Sequence, residues 1–111
     1  VTLMLNEITI MGRLCADPEL KTTQSGTPVT NFTVACDRDR ELNGERPTDF
    51  IEVVAWSGTA EFVNRYFQKG QMAIVSGRLQ SRKWEDRDGN KRVSWEVVAD
   101  HVYFGEPKRN E

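Results

Sequence analysis

Histidine is nearly absent from this chain, with His101 alone among 111 residues, and cysteine is limited to Cys15 and Cys36. Zinc sites draw on closely spaced cysteine and histidine ligands, and no CxxC pair or Cys/His cluster occurs, so no metal is expected. The same scarcity leaves catalysis little to stand on. There is no GxSxG, Walker loop, HExxH or EF-hand pattern. Asp37, Asp39 and Glu41 alternate with Arg38 and Arg40, which makes a solvated loop rather than a cation cage. A lone histidine in a strand is a solvent-facing or hydrogen-bonded residue, not a catalyst. The chain is therefore expected to be no enzyme and to carry no cofactor. The two cysteines read as free thiols packed as small apolar groups. No apolar run approaches the roughly 20 residues of a membrane span, and the start, Val1-Thr2-Leu3-Met4, lacks signal-peptide character. A cytoplasmic location is the expectation. Charge of one sign is also lacking: 15 Lys and Arg stand against 17 Asp and Glu, a net −2.

What the chain does have is short β-patterned runs punctuated by turn residues. Leu5 to Cys15, with Leu5, Ile8, Ile10 and Leu14 as its apolar positions, reads as a first long strand bent at Gly12, and Asp17-Pro18-Glu19 closes it. Gln24 to Pro28 is a turn, and Val29 to Asp37 resumes as a strand with Phe32, Val34 and Cys36 on one side. Asn43-Gly44 is the favoured hairpin dipeptide because both residues tolerate positive φ. Phe50 to Trp56 is a third strand. Ser57 or Thr59 is expected to cap a helix whose stripe is Phe62, Val63, Tyr66 and Phe67, with Lys69 and Gly70 stopping it. Met72 to Trp84 and Lys91 to Phe104 are the fourth and fifth strands, joined through Asp88-Gly89. In the last strand, uninterrupted alternation puts Val97, Ala99, His101 and Tyr103 on one side and Val98, Asp100, Val102 and Phe104 on the other. Five strands with one helix between the third and fourth match an all-β architecture, the five-stranded Greek-key barrel called the OB-fold. The domain is taken as residues 4–105, with 106–111 a flexible C-terminal end.

Function enters with the rings and cations. Phe50, Glu52, Val54 and Trp56 share one face of their strand, opposite the aliphatic Ile51, Val53 and Ala55. Two rings beside a glutamate suit an outer, wet face. Trp84 follows Arg82-Lys83 and precedes Glu85-Asp86-Arg87, which makes it hard to bury. Between Arg78 and Arg92 six cations (Arg78, Arg82, Lys83, Arg87, Lys91, Arg92) face three anions (Glu85, Asp86, Asp88), a local surplus of three. Exposed rings among cations are the means of holding unpaired nucleic acid: bases stack and phosphates pair. Trp95, beside Val93, Val97 and Ala99, is expected to pack or to form a subunit contact.

Asn6-Glu7-Ile8 through Gly12-Arg13-Leu14, Asp17-Pro18-Glu19-Leu20, Val29 to Ala35, Asp49-Phe50-Ile51 through Trp56, Ala60-Glu61 to Tyr66, Lys69-Gly70, Gly77-Arg78-Leu79, Arg82-Lys83-Trp84, Asp88-Gly89 and Glu96 to Ala99 follow one another in a set order with set gaps. By these motifs the chain resembles the bacterial single-stranded DNA-binding proteins. The resemblance implies an OB-fold that assembles as a homotetramer, binds single-stranded DNA without sequence preference, and acts near the nucleoid in replication, recombination and repair. It implies stacking on Phe50, Trp56 and Trp84, and phosphate contacts from Arg82 and Lys83, with Arg78, Arg87, Arg92, Lys21 and Arg13 as secondary candidates. Where some members have another stacking aromatic, this chain has Arg40, whose guanidinium can also stack. The family usually ends in an acidic, aromatic tip that recruits partners; this chain stops at Glu111 without one, so tip-dependent partners are not expected for it. The alternative reading is an OB-fold adaptor of primosome type, in which the same rings meet protein.

Overall fold

The computed structural model describes residues 3–106. Along the chain come β1 (Ile8–Leu14), β2 (Glu19–Thr22), β3 (Pro28–Asp37), β4 (Thr48–Trp56), α1 (Ser57–Tyr66), β5 (Met72–Glu85) and β6 (Lys91–Phe104). The sheet order is β1-β5-β6-β4-β3-β2, and an additional β1–β3 pairing closes it on itself. β4 and β6 run parallel, while the other pairs are antiparallel. This is the OB barrel, with its helix between the third and fourth barrel strands. The short β2 is a sixth strand beyond the expected five. It hairpins onto β3 through Thr23–Thr27, where the Thr23 and Gly26 amides donate to Thr27 and Thr23 carbonyls. Of the expected flexible end, Glu106 accepts from Arg13 and from the Met72 amide, and 107–111 lie outside the described residues.

Strand alternation fills the barrel. β3 contributes Phe32 and Val34, β4 Val53 and Ala55, β5 Ala73 and Val75, and β6 Val97 and Ala99, all buried. Cys36 and Ile51 pack against this core, and both cysteines are free thiols. Burial, then the nearby Asp49 and Asp37 charges, pushes the Cys36 thiol above its ordinary value. In β6 the expected alternation breaks. Ser76 pairs with His101 but Gly77 pairs with Ala99, so Asp100 is an extra residue, a β-bulge. The bulge flips the side-chain order, which turns Val102 into the core with Val97 and Ala99 and puts His101 and Tyr103 outside. Gly77 permits it, since a Cβ there would collide with the Val98 carbonyl oxygen. Gly12 serves β1 likewise, where Ala35 crosses as β1 passes from β5 to β3.

The helix closes one end. Ala60 and Val63 are fully buried and Phe67, just past the last turn, is buried too, whereas Phe62 is half-buried and Tyr66 exposed. Neither Ser57 nor Thr59 caps it, contrary to expectation. The helix springs directly from the extended Trp56, Ser57 sits at φ 53°, and the Thr59 hydroxyl donates instead to the Asp100 carbonyl. It also ends at Tyr66, ahead of Lys69; Gly70, at φ 89°, makes the turn into β5, and its amide donates to Leu14.

Candidate nucleic-acid interface

The strand register assembles one outer face. Directly paired residues point to the same side of a sheet, so Lys21, Val29 and Trp56 form one row and Asn31, Val54, Val98 and Arg78 another. Continuing along β4 brings Phe50 to this face, about 20 Å from Trp56 at strand rise. Continuing along β5 brings Gln80, Arg82 and Trp84, with Ser94 and Arg92 as the cross-strand partners of Arg82 and Trp84. Phe50 is 68% exposed, Trp56 44% and Trp84 42%. The rings are therefore open, as the sequence pattern predicts, and they share a face with Arg78, Arg82 and Arg92. An open groove of about 590 Å³ runs across this face, lined by Val29, Asn31, Glu52, Val54, Trp56 and Arg82, with Ser94, Trp95 and Glu96 bordering it from β6.

The two indoles have fixed settings. Trp56 ends β4 and is the residue from which α1 starts, so barrel and helix both position it. The Trp84 indole N–H donates to Ser94 Oγ at 2.7 Å, which orients the partly exposed ring on the hairpin. Near Phe50, Arg38 makes a bidentate pair with Asp49, both contacts at 3.0 Å, and these hydrogen bonds hold the Asp49 carboxyl below its ordinary value. Between the rings, Glu52 accepts from the Thr33 hydroxyl at 2.8 Å.

The β5–β6 hairpin, Arg78 to Arg92, extends the face beyond the barrel. Asn6 marks the point of departure: its side-chain amide donates to the Leu79 carbonyl (2.8 Å) and accepts from the Leu79 amide (3.0 Å), in place of a further β1 residue. The turn is built on Asp86, whose carboxylate accepts from the Asp88 and Asn90 amides and from Arg92 Nε at 3.0 Å.

The other candidates divide. Lys83 is next to Trp84 in sequence but points to the opposite face of the hairpin, paired with Val93. Arg87 is exposed in the turn. Arg13 shares a row with Ala35 and Phe50, but its guanidinium is engaged by the Gly70 carbonyl at 2.9 Å and Glu106 at 3.3 Å. Arg40 is exposed in the connection beyond the Asp37–Thr48 rung, past the end of β4 nearer Phe50. Trp95 overturns the expectation of packing within the chain. It is 61% exposed, and its partner Ser81 places it on the face opposite Trp84. The signal lay in its neighbours, since Lys91, Arg92, Val93 and Ser94 offer little to pack against. No cluster of three or more His, Cys, Asp and Glu able to hold a metal exists among the described residues, and no described helix is long and apolar enough to cross a membrane.

A closed OB barrel with three rings and several guanidinium groups on one wall defines a class, that of barrels that take extended polymers across an outer face. The chain belongs to the Single-strand binding protein family, whose pattern it matches over residues 5–105. It is 47% identical over 109 residues to single-stranded DNA-binding protein 1 of Staphylococcus aureus, covering 97% of this chain and 70% of that one. It is 46% identical over 108 residues to single-stranded DNA-binding protein 2 of Listeria monocytogenes, covering 96% and 68%. The single-stranded DNA-binding protein of Caldanaerobacter subterraneus is 45% identical over 106 residues, covering 95% and 71%.

Proposed function

We propose that this protein binds single-stranded DNA without sequence preference, by stacking bases on Phe50, Trp56 and Trp84 while cations along the hairpin hold the phosphates. The observation that carries the reading is the sharing of one face by three exposed rings and Arg78, Arg82 and Arg92. Each stacked base contributes about 1–3 kcal/mol, and every base has a π-face, so affinity comes without readout. The acids in the groove decide which way the strand lies. Glu52 and Glu96 line it and repel phosphate, whereas Arg82 lines it too and Lys21 lies in the row of Val29 and Trp56 beside it. The backbone therefore keeps to the cations and the bases turn toward the rings. Arg40 serves as a further platform beyond Phe50 in this reading.

Assembly as a homotetramer belongs to the same proposal. β1 pairs with β3 only at Arg13 and Leu14, which leaves the Ile8-to-Gly12 edge without a strand on that side among the described residues. Leu3, Met4, Leu5 and Met11 are exposed beside it, an apolar surface suited to other copies. Coating unpaired strands in this way fits the protection of DNA during replication, recombination and repair.

The test is a titration with oligo-dT and with duplex of equal length at two salt concentrations. Tight dT binding that weakens with salt, with duplex bound far less, supports the reading. Equal affinity for both, or no affinity for dT, refutes it and favours a protein-binding surface.

A further inference from the structure

The face of the hairpin opposite Trp84 also carries a ring among cations. Its origin lies in where the barrel ends. Val97 and Ala99 point into the core, and Trp95 and Val93 continue the same side of β6. By then the hairpin has left the barrel, so side chains that would have been interior emerge into water. Trp95 is the most exposed of the three tryptophans, and Val93 is exposed beside it. The register sets Ser81 opposite Trp95, Lys83 opposite Val93 and Glu85 opposite Lys91. Lys83 is thus Trp95's diagonal neighbour, at about 7–8 Å by sheet geometry, and the face carries two lysines against one glutamate.

We propose that Trp95 is a fourth stacking platform, so that a bound strand passes round the edge of the hairpin and engages both faces, with its phosphates on Lys83 and Lys91. The inference rests on the reading of this chain as a single-strand binder and adds the path of the strand. Two features select nucleic acid as the occupant. The surface is continuous with the groove already described, since Trp95 borders that groove together with Arg82 and Ser94. Its charge is also complementary to phosphate, whereas a second copy docked face to face would bring like-charged lysines together. Lys83, which the strand register removes from Trp84's face, acquires a role beside the other indole.

Single-indole proteins test this directly. The Trp56→Phe/Trp84→Phe protein keeps rings at both groove positions and leaves Trp95 as the lone indole; Trp56→Phe/Trp95→Phe leaves Trp84. The expected result is that a long dT oligomer quenches both. Trp95→Ala is then expected to weaken the long oligomer about 5-fold or more. The slope of log affinity against log salt stays unchanged, because stacking releases no counterions, whereas Lys83→Ala lowers it by about 0.7. Trp95 emission that stays constant at saturation while Trp84 emission falls overturns the inference and leaves the groove reading intact. So does a Trp95→Ala protein with altered mass by light scattering and unaltered affinity, which makes the residue a contact between copies. If dT quenches neither protein and the wild type does not bind, the groove reading falls and this inference falls with it.

Discussion

Trp84 is exposed on the hairpin and makes one side-chain hydrogen bond, so its removal separates binding from folding. Trp84→Ala is expected to weaken oligo-dT binding about 5- to 150-fold, the equivalent of one lost stack. Its unfolding free energy should change by no more than about 0.5 kcal/mol, as for an exposed position. Anisotropy titration beside a denaturant melt checks both; a large stability loss with unchanged affinity would make Trp84 structural. Glu52 offers the opposite sign. A phosphate about 7 Å away in water feels about 0.6 kcal/mol of repulsion from it. Glu52→Gln keeps the acceptor for Thr33 and should tighten dT binding about 3-fold at low salt, with the gain fading as salt rises. Weaker binding would show that Glu52 touches the bases instead. At this scale the sequence was informative where patterning and exposure agree, as for Phe50 and Trp56 opposite Ile51, Val53 and Ala55. It misled at Trp95, because alternation reports which side of a strand a residue occupies and not whether the barrel still lies on that side.

Among the elements, the β5–β6 hairpin depends on two local devices. Its root is the bulge at Asp100 opposite Gly77. Gly77→Ala drives a methyl into the Val98 carbonyl oxygen, and overpacking against backbone should destabilise the barrel by about 3 kcal/mol or more in a thermal or denaturant melt. A neutral result would show that the strands separate there at no cost. Its tip depends on Asp86, whose carboxyl lies below the ordinary 3.8 chiefly because the Asn90 amide donates to it, with Arg92 and Asp88 adding to the effect. A depressed carboxyl contributes stability that is present above its unfolded value and lost as pH falls through the folded one. The turn should therefore stay formed at neutral and mildly acidic pH and loosen only below 3.8. The Asp88 and Asn90 amide resonances, followed during acid titration, should move together in that range; movement near neutral pH would contradict the assignment. Turn chemistry was legible in Asn43-Gly44, with φ of 54° and 80°, and in Gly89, with φ of 78°, because positive φ has few residue solutions. β2 was not legible. All four of its residues are exposed, so no alternation of burial betrays it, and it forms because the Thr23–Thr27 turn folds it back on β3. The bulge was equally hidden, since Asp100 fits an uninterrupted strand as well as a bulged one until its pairing partner is known.

For the whole molecule, a net charge of −2 coexists with a cationic hairpin because screening confines each charge to about 8–10 Å. Arrangement governs binding here, and the total does not. Light scattering should give a mass near four times the 12.7 kDa chain, and a monomer at micromolar concentration would remove the tetramer from the proposal. The measurement closest to the central claim is photo-crosslinking of the protein to an oligo-dT in which single thymines are replaced by iodouracil, with the attached residues read by mass spectrometry. Crosslinks are expected at Phe50, Trp56 and Trp84, which share one face. Crosslinks confined to the α1 end, around Tyr66 and Phe104, would contradict that claim.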